Sequence, residues 1–131
     1  MKRNLIIGIS VIVILIALVL VGYFYFNSSQ EPKQLIGEEI LEVKLTIDNG
    51  NSLSKIEVDL WKAGSRGVPN AGIAHTDDNG VAIFNIPEGE YEIGFNLNNF
   101  PDNLVYPEKT PVVVEKGIPV SKTIVLGVKQ E

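Results

Sequence analysis

The chain has 131 residues, 45% of them hydrophobic, which is enough for one ordinary domain. It contains no cysteine, which excludes disulfides, thiolate metal sites, a cysteine nucleophile and a lipid-modified cysteine. All 16 acidic residues follow residue 30, whereas two of the 11 basic residues, Lys2 and Arg3, precede it. The later part therefore has 9 positive charges against 16 negative ones, a net charge of −7, which argues against nucleic acid as a partner.

The first element is an uncharged apolar run over residues 5–26. As a helix, about 22 residues would extend about 33 Å, enough to cross a hydrocarbon core of about 30 Å. The run has no polar face at helical period, which excludes an ordinary amphipathic helix of a globular domain. We therefore predict a single transmembrane helix at 5–26, preceded by a short cytoplasmic N-terminus at 1–4.

The flanks of this run predict its orientation. Lys2 and Arg3 precede it, and positive residues stay on the cytoplasmic side, so the C-terminal domain is expected outside the cytoplasm on a single-pass membrane protein. The aromatic residues 23–26 suit the outer headgroup level. The alternative is a cleaved signal peptide and a secreted domain. A signal peptide has an apolar stretch of about 7–15 residues and a small-residue cleavage site, and this sequence matches neither feature well.

Residues 27–37 are polar and contain Pro32, which indicates a short linker. About 11 flexible residues have a typical reach of roughly 18 Å. The extracytoplasmic domain at 38–131 is thus expected to stay close to the membrane surface.

From residue 38 onward the hydrophobic pattern has a period of two, which is typical of strands with one buried face. The alternating apolar positions are Leu41, Val43, Leu45 and Ile47, then Ile56, Val58 and Leu60, and later Tyr91, Ile93 and Phe95. Turn-forming residues separate these runs, and two further runs lie at 110–115 and 119–126. About seven short strands and no long helix predict an all-β fold, an antiparallel β-sandwich.

The segment 76–93, TDDNGVAIFNIPEGEYEI, resembles the core motif of prealbumin-like (Ig-like) sandwich domains. These include carboxypeptidase regulatory-like domains and the B-type repeats of Gram-positive collagen adhesins and pilins. The resemblance implies that Phe84, Ile86, Tyr91 and Ile93 face the core. It says almost nothing about function, because such domains serve as spacers, adhesive modules, sugar-binding modules and appendages to enzymes.

The resemblance also allows one covalent feature to be examined. B-type domains often join a Lys of the first strand to an Asn or Asp of the last strand, with a buried Glu promoting the reaction. Lys44 could stand for the lysine, but the glutamate position falls on Phe95 and the strand 120–126 has no Asn or Asp. We therefore predict no isopeptide bond. Intact-mass spectrometry tests this, because the bond would lower the mass by one ammonia or one water.

The residues that could carry catalysis or bind metal are sparse. His75 is the only histidine, and the sequence has no H-E-x-x-H or G-x-S-x-G motif. Asp77, Asp78 and Asn79 place three oxygen donors in one turn, but their spacing is not that of an EF-hand loop, and turn formation explains them. We predict that the protein is not an enzyme and has no cofactor or metal site.

The candidate ligand surface is the long segment 96–107 together with Trp61. Asparagine side chains offer paired donors and acceptors, while the aromatic rings offer stacking faces, a mixture that suits sugars or a protein partner. Trp61 lies on the polar side of its strand and is expected to be partly exposed. The alternative is a connecting loop whose aromatics cover the rim of the core. The candidate residues are Trp61, Asn96, Asn98, Asn99, Phe100, Asn103 and Tyr106.

These observations lead to one main hypothesis, a tethered non-catalytic interaction module of the cell envelope with a protein partner. A carbohydrate-binding module is the alternative, and exposure of Trp61, Phe100 and Tyr106 on one surface would favour it. An enzyme is the third class, and it lacks a convergent acid, base and nucleophile.

Overall fold

The computed structural model describes residues 12–23 and 31–131. The chain divides into two compact units, Met1–Glu31 and Pro32–Glu131. In the first unit, residues 12–23 form helix α1. The predicted span is longer, and its residues 5–11 and 24–26 lie outside the described residues. Within the described ranges, no helix combines the length and apolar character needed to cross a membrane, so the anchor stays a prediction.

The second unit is a β-sandwich, which confirms the predicted fold class. Its strands are β1 (Glu39–Ile47), β2 (Glu57–Lys62), β3 (Gly72–His75), β4 (Val81–Ile86), β5 (Gly89–Gly94), β6 (Thr110–Val114) and β7 (Val120–Leu126). A three-stranded sheet has the order β4-β1-β7, and a four-stranded sheet has the order β3-β2-β5-β6.

One strand pair corrects the prediction of a fully antiparallel sandwich. β1 and β7 are parallel, with Leu41 opposite Val120 and Ile47 opposite Leu126. The other four strand pairs of the sandwich are antiparallel. Side chains alternate with a period of two in both kinds of ladder. The hydrophobic pattern therefore predicted the strands but not the direction in which the first and last strands pair.

The core lies between the two sheets, and the four positions inferred from the motif are buried there. Phe84 is 1% exposed, Ile86 and Ile93 are 0% exposed, and Tyr91 is 3% exposed. The Tyr91 hydroxyl donates a 2.7 Å hydrogen bond to the Pro87 carbonyl, which satisfies its one polar group.

The turn between β3 and β4 uses its acidic side chain locally. Asp77 Oδ1 accepts hydrogen bonds from the backbone N–H groups of Asn79 (2.9 Å) and Val81 (3.0 Å). Gly80 has a φ of 76°, which favours glycine. Turn geometry thus accounts for this group of oxygen donors. Among the described residues, no group of three or more His, Cys, Asp or Glu side chains is arranged to hold a metal ion.

Residues 32–37, placed in the predicted linker, are hydrogen-bonded to the sandwich. The N–H groups of Lys33, Leu35 and Gly37 donate to the carbonyls of Pro69, Ala71 and Asn85, at 2.9–3.1 Å. The segment therefore runs from the residues before β3, in one sheet, to β4, in the other. It covers unpaired backbone groups beside these two edge strands, which limits edge-to-edge association.

Gly37 allows this segment to approach β4 closely, and we expect Gly37→Ala to release it. A Cβ at Gly37 would lie 2.0 Å from the Ile86 carbonyl carbon, a contact that only backbone displacement can relieve. The expected result is at least about tenfold faster amide hydrogen exchange at Leu35 and position 37. The matched control is Ile36→Ala, because Ile36 is 89% exposed. Equal exchange in the two variants would contradict the proposed role of Gly37.

Candidate ligand-binding groove

The candidate site lies on the outer face of the four-stranded sheet. Along β2, Val58 and Leu60 point into the core, so Glu57, Asp59 and Trp61 point the other way. Despite this outward position, Asp59 is only 2% exposed and Trp61 only 5%. The structure thus corrects the expectation that Trp61 is partly exposed.

Two loops provide the cover over Trp61. Its Nε1–H donates a 3.0 Å hydrogen bond to the Gly67 carbonyl, in the loop before β3. Lys109 Nζ, in the loop before β6, lies 3.9 Å from the centroid of the indole ring, a cation–π contact. Alternation along the strand gives the direction of a side chain, whereas burial also depends on what packs above the sheet.

Gly94 lies against the edge of the six-membered ring of the indole, and we expect Gly94→Ala to displace the ring. A Cβ at Gly94 would lie 2.8 Å from Trp61 Cζ3. Trp61 is the only tryptophan, so its fluorescence reports this site alone. The expected result is a red-shifted and more readily quenched emission. Gly127→Ala is the control, because a Cβ there makes only ordinary contact, 3.5 Å from Val105. Unchanged emission in Gly94→Ala would contradict the packing described.

The aromatic residues of the long loop pack on each other. The Phe95 and Phe100 ring centroids are 5.3 Å apart at 63°, and those of Phe100 and Tyr106 are 5.1 Å apart at 75°, both edge-to-face. Phe100 is partly buried against the core. The Tyr106 hydroxyl donates a 2.6 Å hydrogen bond to the Phe95 carbonyl, and Tyr106 is 45% exposed. Of the three aromatic candidates, only Tyr106 is exposed, so they do not form a shared stacking surface.

Two of the four candidate asparagines bind a carboxylate of β2. Asn96 Nδ2 donates to Glu57 Oε1 at 3.1 Å, and Asn99 Nδ2 donates to Glu57 Oε2 at 3.0 Å. Asn98 and Asn103 are exposed. His75 Nε2 lies 3.6 Å from Glu57 Oε2. Glu57 is therefore the residue around which this part of the loop is organised.

The C-terminal segment holds the far side of the long loop. The Val105 N–H donates to the Gly127 carbonyl at 2.8 Å, and the Lys129 N–H donates to the Asn103 carbonyl at 2.9 Å. The loop is therefore fixed at both ends of its course, by β2 and by the residues after β7.

A groove of about 450 Å³ lies between the two loops. Its floor includes the two carboxylate residues of β2, Glu57 and Asp59. Its walls are largely apolar, formed by Trp61, Val68, Pro69, Ile73, Phe95 and Leu97. Sequence reasoning singled out Trp61 and the asparagines but missed Glu57 and Asp59. In sequence, two acidic residues on the polar side of a strand cannot be distinguished from ordinary solvent-facing residues.

The electrostatics of the groove centre on Asp59. Burial, followed by the negative charge of Glu57 and a side-chain hydrogen bond with it, raises the pKa of Asp59 from 3.8 to about 7. Asp59 Oδ1 is buried and has no hydrogen-bond partner among the described residues. The pKa of Tyr106 is raised by burial and by the charge of Asp59, which places this loop residue within the electrostatic influence of the groove.

The fold and groove define a class, a two-sheet β-sandwich with a loop-covered acidic groove on one outer face. Several solved structures share the sandwich. The Bacillus anthracis TIE protein matches with a TM-score of 0.58 and 20% identity over 70% of this chain and 17% of that one. The pilus 2b backbone protein of group B streptococcus matches with a TM-score of 0.57 and 16% identity, over 70% of this chain and 41% of that one.

The minor pilin of Streptococcus agalactiae matches with a TM-score of 0.54 and 18% identity, over 72% of this chain and 45% of that one. The chain thus corresponds to less than half the length of each of these three proteins. No protein-family model and no curated protein matches this sequence. At these identities the likeness establishes the fold, which agrees with the prealbumin-like sandwich that the motif implied.

Proposed function

We propose that this protein is a non-catalytic interaction module of the cell envelope, anchored by residues 5–26 and recognising a partner protein outside the cytoplasm. The observation that carries the proposal is the loop-covered groove, in which one buried carboxylate oxygen, Asp59 Oδ1, has no partner among the described residues. A buried polar group without a partner is unfavourable, so its presence in a groove favours a role in binding. Similar sandwiches occur in pilus proteins, which supports an adhesive or interaction role over catalysis.

The exposed side chains of α1 support the anchor. The large hydrophobic side chains of residues 12–23 are 51–69% exposed. Such a surface is costly in water and stable in lipid, since burying apolar area contributes about 25 cal/mol per Å². The positive residues before the apolar run support an orientation with the sandwich outside.

The anchor is tested by expressing the full chain with a C-terminal tag and fractionating the cells. We expect the protein in the membrane pellet after carbonate washing, with the tag digested by protease added outside intact cells. A full-length protein in the carbonate supernatant would refute the anchor, and a tag protected in intact cells would refute the orientation.

The interaction role is tested by crosslinking the full chain in intact envelopes. We expect a specific protein adduct that is reduced when the groove rim is altered by Leu97→Asp, because Leu97 is 70% exposed and lines the groove. The control is Val125→Asp, a similarly exposed position on β7 outside the groove. A glycan array tests carbohydrate binding, the alternative, and binding lost in Tyr106→Ala would replace the protein-partner proposal.

A further inference from the structure

The floor of the groove carries negative charge that the protein itself does not fully neutralise. Each oxygen of Glu57 accepts one amide hydrogen bond from an asparagine, but a carboxylate oxygen can accept two. Asp59 Oδ1 has no partner among the described residues, although Asp59 is only 2% exposed. Both residues line the groove. When Asp59 is ionised its oxygens can only accept, so the group that would complete this floor is a hydrogen-bond donor, and a positively charged donor fits best.

The walls above this floor restrict the shape of that donor. Val68, Pro69, Ile73 and Leu97 present apolar surface along the groove. An aliphatic stem could lie against this surface while its polar end reaches the carboxylates, as long amphipathic side chains do in proteins. A hydrated metal ion has no stem, and the described residues include no set of three His, Cys, Asp or Glu ligands for one.

We propose that the groove binds the side chain of a lysine presented by a partner protein, with the ammonium group at Glu57 and Asp59. An ammonium is a compact charge with three donors, which suits oxygens that face it from two side chains. Arginine suits a single carboxylate whose two oxygens are free to receive two parallel hydrogen bonds, whereas both oxygens of Glu57 already accept an asparagine amide and the other acceptor belongs to a second side chain. The proposal rests on the proposed function, because it takes the groove as the docking surface.

Two further observations favour a cation in this place. The chain after residue 30 has a net charge of −7, so it attracts a basic partner. Lys109 already places an ammonium 3.9 Å from the centroid of the Trp61 ring, beside the groove, so this face of the sheet accommodates one within the protein itself. The bound lysine would add a second ammonium at the carboxylates.

Lysine binding is expected to depend on pH. The titratable groups near the floor of the groove are Glu57 on β2, His75 on β3 and Tyr106 on the long loop, and Lys109, in the loop before β6, lies against Trp61. The lysine ammonium arrives charged, and the proton held by Asp59 leaves to solvent when the ammonium replaces it. Affinity should therefore increase as the pH rises from 6 to 8.

The test uses full-length protein in detergent micelles and Nα-acetyl-lysine methylamide as the probe, followed by NMR. We expect saturable shifts at Ile73 and Leu97 that the norleucine analogue, which has the same stem without the ammonium, does not produce. Asp59→Asn should weaken the binding at least tenfold. Asp78→Asn is the control, because it removes the same charge from an exposed turn outside the groove. A native-like Trp61 emission and a cooperative thermal transition above the temperature of the titration establish that each variant is folded.

Equal binding of the lysine and norleucine probes would overturn the inference, as would equal affinity in the two Asp variants. Tighter binding of n-butylammonium than of the lysine probe would overturn the assignment to a protein side chain and indicate a free amine. The proposed function fails separately. If the chain is not anchored but the lysine probe binds through Asp59, the groove assignment stands. If an envelope protein is crosslinked equally well by wild type and Asp59→Asn, only the lysine inference falls.

Discussion

Replacing Phe84 with alanine is expected to lower the free energy of unfolding by about 3–5 kcal/mol, the range for removing a buried phenylalanine ring. Phe84 is 1% exposed and points inward from β4. Its Cδ1 lies 3.1 Å from the position a Cβ would take on Gly72 of β3, so the ring spans the space between the two sheets. Removing it leaves a cavity in the core between the two sheets, and the cost depends on how far the surrounding side chains can fill it.

The measurement is urea unfolding of wild type and variant, followed by the emission of Trp61. The matched control is Ile83→Ala, because Ile83 is the preceding residue of the same strand and is 52% exposed. The control should cost less than about 1 kcal/mol. A similar loss of stability in both variants would mean that the inward and outward faces of β4 are assigned wrongly.

Replacing Asp59 with asparagine is expected to change how stability depends on pH. In the unfolded chain the Asp59 carboxyl has a pKa near 3.8, whereas in the folded protein its pKa is about 7. Between these values the folded protein holds the proton and the unfolded chain does not. The Asp59 contribution to stability is therefore complete below about pH 4 and is lost as the pH rises through about 7. Asparagine does not titrate, so the stability of the variant should not show this decrease as the pH rises.

The measurement is the free energy of unfolding of both proteins between pH 4 and 8. The free energy of unfolding of the variant, minus that of the wild type, should increase between pH 4 and 8 by an amount on the order of 2 kcal/mol. One pKa unit corresponds to about 1.4 kcal/mol, and solvent screens part of the effect. Asp78→Asn, which alters an exposed carboxyl, should show no such growth. A difference that stays constant from pH 4 to 8 would show that Asp59 titrates normally in the folded protein.

Local sequence patterns were sufficient to predict most of the fold. Alternation identified the strands around Val43, Val58 and Ile93, and the motif ending in Tyr91 placed its apolar residues in the core. Both follow from a simple constraint, because a strand that covers a core must present apolar side chains at every second residue. The parallel pairing of β1 with β7 was missed, since strands of either direction share this period.

The candidate site was predicted less well, because its residues are defined by contacts between distant parts of the chain. Asn96 and Asn99 lie in the predicted loop, yet their amides bind Glu57, 39 and 42 residues away. Trp61 points outward as its position implies, and loops from both sides bury it.

The sequence by itself determined the β class, the approximate strand positions, the motif residues of the core and the absence of disulfides. Only the tertiary structure decided the parallel pairing, the attachment of residues 32–37 and the burial of Asp59 and Trp61. The physical reason is that periodicity specifies which side of a strand a residue occupies. What covers that side is set by loop packing, which has no period in the sequence. Within residues 12–23 and 31–131, the same packing leaves one buried carboxylate oxygen of the groove without a partner.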